Sequence, residues 1–334
     1  MNMRKRLAGA ALALMLCVSA GAVHADETNV LSAYGLPEAQ CVASDLVREV
    51  NVTEQIGDVT VSIDQTAYDG VSAYVRYSLK DAAATAPLAE LDEETGLYLL
   101  TMDTCDYFLS KNAGWFSDSI WVNGEEYAMP SGESIELGTD QNGEIVVCLW
   151  IHLDEAGIEP TEGMTLGLPI GNPQAENKGI LTVPLDGSVA SRMQEVRFTD
   201  RVELDEICLT GVKTTVTPLK LYVSVAVEAQ AEALQAQREK EQAAFDAQNI
   251  PMEVDDAWAG ATLCSNWAGY VLPVTADGSV IEGMLDGVYG MYSAGATEAR
   301  FEYLVYEGMP EEVYLAVCDE HGKAVDMQKA VRVL

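Results

Sequence analysis

Beyond the first 25 residues, the side chains that could act on another molecule are two histidines, six cysteines, a large surplus of carboxylates and a few tryptophans. His152 lies in a run of strand-forming residues and His321 in a polar turn. Neither stands at a metal-binding spacing from Cys, Asp or another His. Asp140-Gln-Asn-Gly143 looks like the start of a calcium loop, but the later ligands are missing and the stretch reads as a hairpin turn. There is no glycine-rich phosphate loop and no nucleophile elbow. With 53 Asp and Glu in the chain, no single acid pair stands out as a hydrolytic pair. The expectation is a protein that is not an enzyme and holds no metal and no cofactor.

The aromatic set is more specific. Trp115, Phe116, Trp121 and Tyr127 surround Asn123-Gly124, the strongest hairpin signal in the chain, and Trp258 and Trp267 lie in a Gly/Ala-rich segment. Exposed rings on a β surface stack on sugars or anchor a protein partner, so Trp115, Trp121 and Tyr127 form the candidate binding surface. The competing reading has these rings closing the ends of a core, where Trp is ordinarily buried. Of the cysteines, Cys41, Cys105 and Cys148 fall in one half and Cys208, Cys264 and Cys318 in the other. Strand alternation puts Cys208 opposite Ile207 and Leu209, and Cys318 opposite Val313, Leu315 and Val317. Partly buried free thiols are therefore expected rather than a disulfide framework.

The elements that must position these residues announce themselves by repetition. Residues 59–79 (VTVSIDQTAYDGVSAYVRYSL) and 207–227 (ICLTGVKTTVTPLKLYVSVAV) superimpose without a gap at an offset of 148, with Thr66/Thr214 and Tyr74/Tyr222 identical. Each copy alternates apolar and polar residues on both sides of a turn, Asp69-Gly70 in one and Thr217-Pro218 in the other, as half-buried antiparallel strands do. Further short strands with polar turns predict an all-β protein: two tandem immunoglobulin-like β-sandwiches at 55–190 and 191–334. Residues 228–248 (EAQAEALQAQREKEQAAFDAQ) lack Gly and Pro and predict one inserted α-helix. Its apolar stripe, Leu234 and Phe245, is too thin for a coiled coil. It reads as a helical insertion projecting from, or lying along, the second sandwich, or as a partner-binding arm.

Arg4, Lys5 and Arg6 before the apolar run Leu7 to Val18, with small residues to Ala25, have the parts of a secretory signal peptide. Cleavage near Asp26 is expected, with retention of 1–25 as an anchor the alternative. Residues 26–54 read as an acidic tether. The formal net charge of −34, more negative still without the leader, repels phosphate backbones and anionic lipid. No nucleic acid partner is expected, and membrane contact only through an uncleaved leader. The chain is expected outside the cytoplasm, with an unknown envelope protein or glycan as partner.

Asp58-Val-Thr-Val-Ser-Ile63, Tyr74-Val-Arg-Tyr77, Val183-Pro-Leu-Asp186 and Val216-Thr-Pro-Leu219 resemble a family of unknown function. That family forms the extracytoplasmic region of anti-sigma-factor-like membrane proteins in Gram-positive bacteria. The resemblance covers about residues 55 to 225 and implies tandem immunoglobulin-like domains facing outward, without catalytic activity. Only six residues precede the apolar leader, so no counterpart of the family's cytoplasmic sigma-binding part is expected.

Overall fold

Each half of the chain builds one large antiparallel sheet around its copy of the repeated hairpin. The computed structural model describes residues 30–31, 44–94, 96–113, 119–171, 179–267, 269–281, 284–286, 291–293, 296–304 and 310–334. The first half runs through β1 (Arg48–Ile56), β2 (Val59–Tyr68), β3 (Ser72–Asp81), the short pair β4 (Ala89–Leu91) and β5 (Tyr98–Leu100), and helix α1 (Thr104–Ser110). It continues with β6 (Ser119–Val122), β7 (Glu125–Ala128), β8 (Gly132–Gly138), β9 (Glu144–His152), β10 (Thr165–Ile170) and β11 (Gly179–Pro184). The second half comprises β12 (Gln194–Phe198), β13 (Val202–Leu204), β14 (Ile207–Val216), β15 (Lys220–Ala229), α2 (Ala231–Ala247) and α3 (Asp256–Trp267). It closes with β16 (Val271–Val274), β17 (Met284–Asp286), β18 (Met291–Ser293), β19 (Ala296–Leu304), β20 (Tyr314–Val317) and β21 (Val331–Arg332).

The large sheets have corresponding strand orders, β1-β2-β3-β9-β8 and β12-β14-β15-β19-β17, the second with β13 and β18 added. The repeated hairpins keep one register at both ends. Val61 faces Leu79 as Leu209 faces Val227, and Thr66 faces Val75 as Thr214 faces Val223. Each hairpin also carries one bulge in its first strand, after Ile63 in β2 and after Leu209 in β14. A bulge shifts the side-chain alternation by one residue, and here it keeps apolar residues inward on both sides of the break. Val59, Val61 and Ile63 share the core face before the first bulge, and Tyr68 lies buried beyond it.

The first large sheet lays its inner face on the smaller sheet β11-β10-β6-β7, and one core unites Val61, Val75, Val147 and Ile151 with Ile120, Leu166 and Val183. The second core gathers Leu209, Val223, Val225 and Phe301 with Leu315 of the sheet β16-β20-β21 and with Trp267 of α3. Trp267 meets Phe301 edge-on, with ring centroids 6.2 Å apart. Val30 and Leu31 are fully buried in the first core and β1 starts at Arg48. The described residues of 26–54 therefore pack on the first half instead of hanging from it.

This architecture corrects the all-β expectation of two immunoglobulin-like sandwiches with one inserted helix. The sheets are open and unequal, and the described residues include three α-helices, so the fold is mixed α/β. The physical reason lies in two unrecognised helices. α1 starts at the N-cap Asp103, whose side chain accepts from the Asp106 N–H. α3 is Ala- and Gly-rich and carries no strong amphipathic stripe, yet it packs on β15 and β19 with Ala259, Leu263 and Trp267 buried and Trp267 within the second core. A helix thus occupies space that a second sheet would fill. The predicted helix exists as α2, but Glu228 and Ala229 belong to β15, paired with Cys208 and Ile207.

Candidate functional site at the junction of the two halves

The chemically capable side chains converge where the two hairpin turns meet, on the faces of the large sheets turned away from their own cores. The turns are built alike. The Asp69 amide donates to the Ser72 carbonyl and the Thr217 amide to the Lys220 carbonyl. Asp69 Oδ1 accepts from the Val71 and Ser72 amides (2.9 and 2.7 Å), as Thr217 Oγ1 accepts from those of Leu219 and Lys220 (3.2 and 2.8 Å). Side chains of this kind stabilise turns by replacing backbone partners. The turns then touch each other, with the Thr217 hydroxyl 3.1 Å from Asp69 Oδ2. Leu219, from the second turn, is buried in the first core.

A directed chain of hydrogen bonds runs through this contact. An indole N–H only donates, so the bond from Trp150 Nε1 to His152 Nε2 (3.0 Å) makes Nε2 an acceptor and places the imidazole proton on Nδ1. Nδ1 then donates to Ser72 Oγ at 2.9 Å, Ser72 donates to Tyr222 Oη at 3.1 Å, and Tyr222 donates to Asp69 Oδ2 at 2.7 Å. Burial, reinforced by the nearby Arg300 and Lys220, holds the His152 imidazole down to about 2. Burial and the adjacent Asp69 carboxylate push the Tyr222 phenol well above its usual value. Both groups are neutral, as the directions of the bonds require.

The cations come from the second half. Lys220 Nζ lies 3.0 Å from Glu302 Oε2, with side chains 2% and 1% exposed. The ammonium also sits 4.2 Å above the Trp150 ring, with Tyr74 and Tyr222 at 5.4 and 5.7 Å. A desolvated cation gains about 2 kcal/mol from such an arrangement. Arg300 reaches Asp154 Oδ1 with Nη1 (3.0 Å) and Glu302 Oε1 with Nε (3.1 Å), and stacks 4.5 Å from the Tyr222 ring. Burial raises the Glu302 carboxyl above the usual range, against the pull of Lys220 and Arg300. His152 Nε2 lies 3.4 Å from Glu302 Oε1. With a neutral imidazole accepting from Trp150, that approach is a contact and not an ion pair.

Ser72, His152 and Glu302 have the composition of a hydrolytic triad. They lack its accessibility, because all three are at most 1% exposed. A nucleophile needs space about 3 Å away for the reacting atom, and the Ser72 hydroxyl is occupied by His152 and Tyr222. What the arrangement does is join the halves. Each group is held by the other half or by a partner beside it, and loss of one member of a buried pair costs about 3–5 kcal/mol.

Of the sequence-derived surface, Trp115 lies outside the described residues, as does Phe116. Trp121 is half-buried on β6, opposite Glu126 and Gly167. Tyr127 pairs with Ile120, packs against the first core and donates to Glu125 at 3.3 Å. Trp121 and Tyr127 are one step out of phase across the β6–β7 hairpin and emerge on opposite faces, so the structure does not bring them together. Trp267 is buried and Trp258 is 49% exposed. His321 lies exposed in its turn, while His152 belongs to the junction. Among the described cysteines, Cys105, Cys148, Cys208 and Cys318 are free thiols, and all but Cys105 are buried. Among the described residues no group of His, Cys, Asp and Glu could hold a metal ion, and no helix is long and apolar enough to cross a membrane.

Sequence reasoning missed Lys220, Arg300, Glu302, Asp69 and Tyr222 as a group. The available signal was charge inside apolar strands, in Lys220-Leu-Tyr-Val223 and Arg300-Phe-Glu-Tyr303, which alternation assigns to a solvated face.

No protein-family model matches this chain, and no curated protein matches it. Among solved structures it is similar to the crystal structure of a conserved domain protein from Bacillus anthracis. The identity is 12%, over 88% of this chain and 91% of that one, with a TM-score of 0.40. A likeness of this size assigns nothing to the present chain.

Proposed function

We propose that this chain is a non-enzymatic extracytoplasmic binding or sensor module of the cell envelope, in which two related halves are presented as one rigid body. The observation that supports this reading is the state of the junction. The residue types best suited to chemistry are buried together, neutral or paired, and spent on holding the halves in register. The leader-like first 25 residues and the strongly acidic surface support an exported, soluble presentation. The resemblance to outward-facing regions of Gram-positive membrane proteins agrees with that location, although the immunoglobulin fold it implied is not the one adopted.

The test uses protein beginning at Asp26, immobilised and exposed to cell-envelope extract and separately to cell-wall glycan. A parallel copy lacks 231–247, which leaves β15 intact. Saturable retention of a defined protein by the full form supports the module. Retention of glycan with no protein partner favours a carbohydrate-binding surface protein instead. Turnover of ester, peptide or glycoside substrates that disappears in Ser72→Ala would overturn the non-enzymatic reading.

A further inference from the structure

The hairpin of α2 and α3 ends in a tip that none of the described residues covers. Phe245 in the last turn of α2 meets Trp258 in the first turn of α3, ring centroids 6.1 Å apart. Around them Trp258 is 49% exposed, Ile250 39% and Met252 37%. The tip is built rather than loose. Gln242 donates to the Met252 carbonyl (3.1 Å) and accepts from the Val254 amide (2.9 Å), Ile250 N–H bonds back to Phe245, and Asn249 takes a positive φ of 54°. These bonds hold apolar side chains outward at the end of a helix with no buried residue of its own. Exposed apolar groups held in place at a polar rim mark interaction sites.

The charge around the tip is mostly negative. Asp246, Glu253, Asp255 and Asp256 flank the apolar residues along the chain, and no Lys or Arg occurs between Lys240 and Arg300. Asp256 is engaged by Arg238 at 2.8 Å, while Asp246, Glu253 and Asp255 are exposed. An acidic rim repels anionic lipid and equally repels a second copy of itself. It complements an apolar pocket rimmed by Lys and Arg, since opposite potentials across an interface favour encounter and register.

We propose that the α2–α3 tip is a protein-docking knob, with Trp258 as anchor and Met252 and Ile250 beside it, for a partner surface that is apolar and basic-rimmed. The proposal rests on the reading of the chain as a binding module, and names the surface and the partner chemistry. The probe is an 18-residue amphipathic helical peptide of Leu and Lys, labelled and titrated with protein beginning at Asp26. Trp258→Ala leaves the net charge unchanged and is expected to weaken binding at least tenfold. Glu253→Gln is expected to weaken it less and to lower its salt dependence, and Leu99→Ala, at an exposed apolar position of the first half, to leave it unchanged. Circular dichroism confirms that each variant is folded, and Trp258→Phe, which keeps an aromatic ring, retains part of the affinity.

Equal affinity of Trp258→Ala and the parent chain would overturn the proposal, because the peptide would then be reading bulk charge alone. That outcome leaves the module reading standing, whereas enzymatic turnover would remove the module reading and leave the knob to be judged on Trp258. Trp258-dependent binding to zwitterionic vesicles in place of the peptide would make the tip a lipid contact. A Trp258-dependent dimer in sedimentation would make it a self-association site. Either result would overturn the proposal too.

Discussion

The β2–β3 and β14–β15 hairpins share a strand register and differ at nearly every position where they meet. Ser72 stands where the second copy has Lys220, Asp69-Gly70 where it has Thr217-Pro218, and Trp150, across from Tyr74, where it has Glu302 across from Tyr222. Only the tyrosine is common, and even it is used differently. Both rings face Lys220, but Tyr222 also bonds through its hydroxyl to Asp69 and stacks on Arg300. Two copies of one hairpin packed turn against turn place like positions close together, as at a two-fold interface. Like charges at those positions would repel in a desolvated space. The first half supplies Asp69, Asp154, neutral donors and aromatic faces, and the second half supplies both buried cations and Glu302, which lies between them.

That division of labour can be broken from either side. The largest effect is expected from Lys220→Ala, which removes the cation from Glu302 Oε2 and from the Trp150 and Tyr74 faces, leaves Arg300 alone against Glu302, and should lower the unfolding free energy by about 3–5 kcal/mol. Denaturant unfolding measures it. Lys220→Met combined with Glu302→Gln should lose far less, because neither charge is then stranded.

The next effect is on acid stability. His152 is held near 2 in the fold, against 6.5 for the free group. Below 6.5 the unfolded chain takes up a proton that the folded chain refuses. Stability that is present above that pH therefore falls as the pH drops, by about 1.4 kcal/mol per unit. Glu302 acts in the opposite sense, since its raised pKa lets the folded chain hold a proton at higher pH than the unfolded one, and this offsets part of the loss. In His152→Gln the histidine contribution vanishes and the slope of stability against pH below 6.5 should flatten.

The turns give smaller effects. Asp69→Ala strands the Val71 and Ser72 amides and the Tyr222 hydroxyl, and should cost about 1–3 kcal/mol, against about 1 kcal/mol for Thr217→Ala. Equal costs would mean that the turns are interchangeable. Smallest is Pro218→Gly, at about 0.4–1 kcal/mol through the greater freedom of the unfolded chain. The matching change at the first turn, Gly70→Pro, belongs with the large effects, since Gly70 has φ 98° and a Cβ there would collide with Met193.

The hairpins were legible in the sequence because alternation and turn residues are local signals, and Asn123-Gly124 likewise marks a real turn, with φ 53° and 83°. The helix at 231–247 was legible from composition. α3 was not, since a helix rich in Ala and Gly has no apolar stripe to betray it and is fixed by the sheet it lies on. The bulge after Ile63 shows only as a change of phase, easily mistaken for a weak strand. The junction was hidden most completely. Lys220, Arg300 and Glu302 occupy outward phases of their strands, and only the docking of one half on the other makes those phases interior.

The most direct measurement is the thermal unfolding of the whole chain by calorimetry, with and without Lys220→Ala. If the junction makes the halves one cooperative body, the parent chain unfolds in a single transition whose calorimetric and van't Hoff enthalpies agree, and Lys220→Ala separates it into two. Two independent transitions in the parent chain, or a single transition unmoved by Lys220→Ala, would contradict the account.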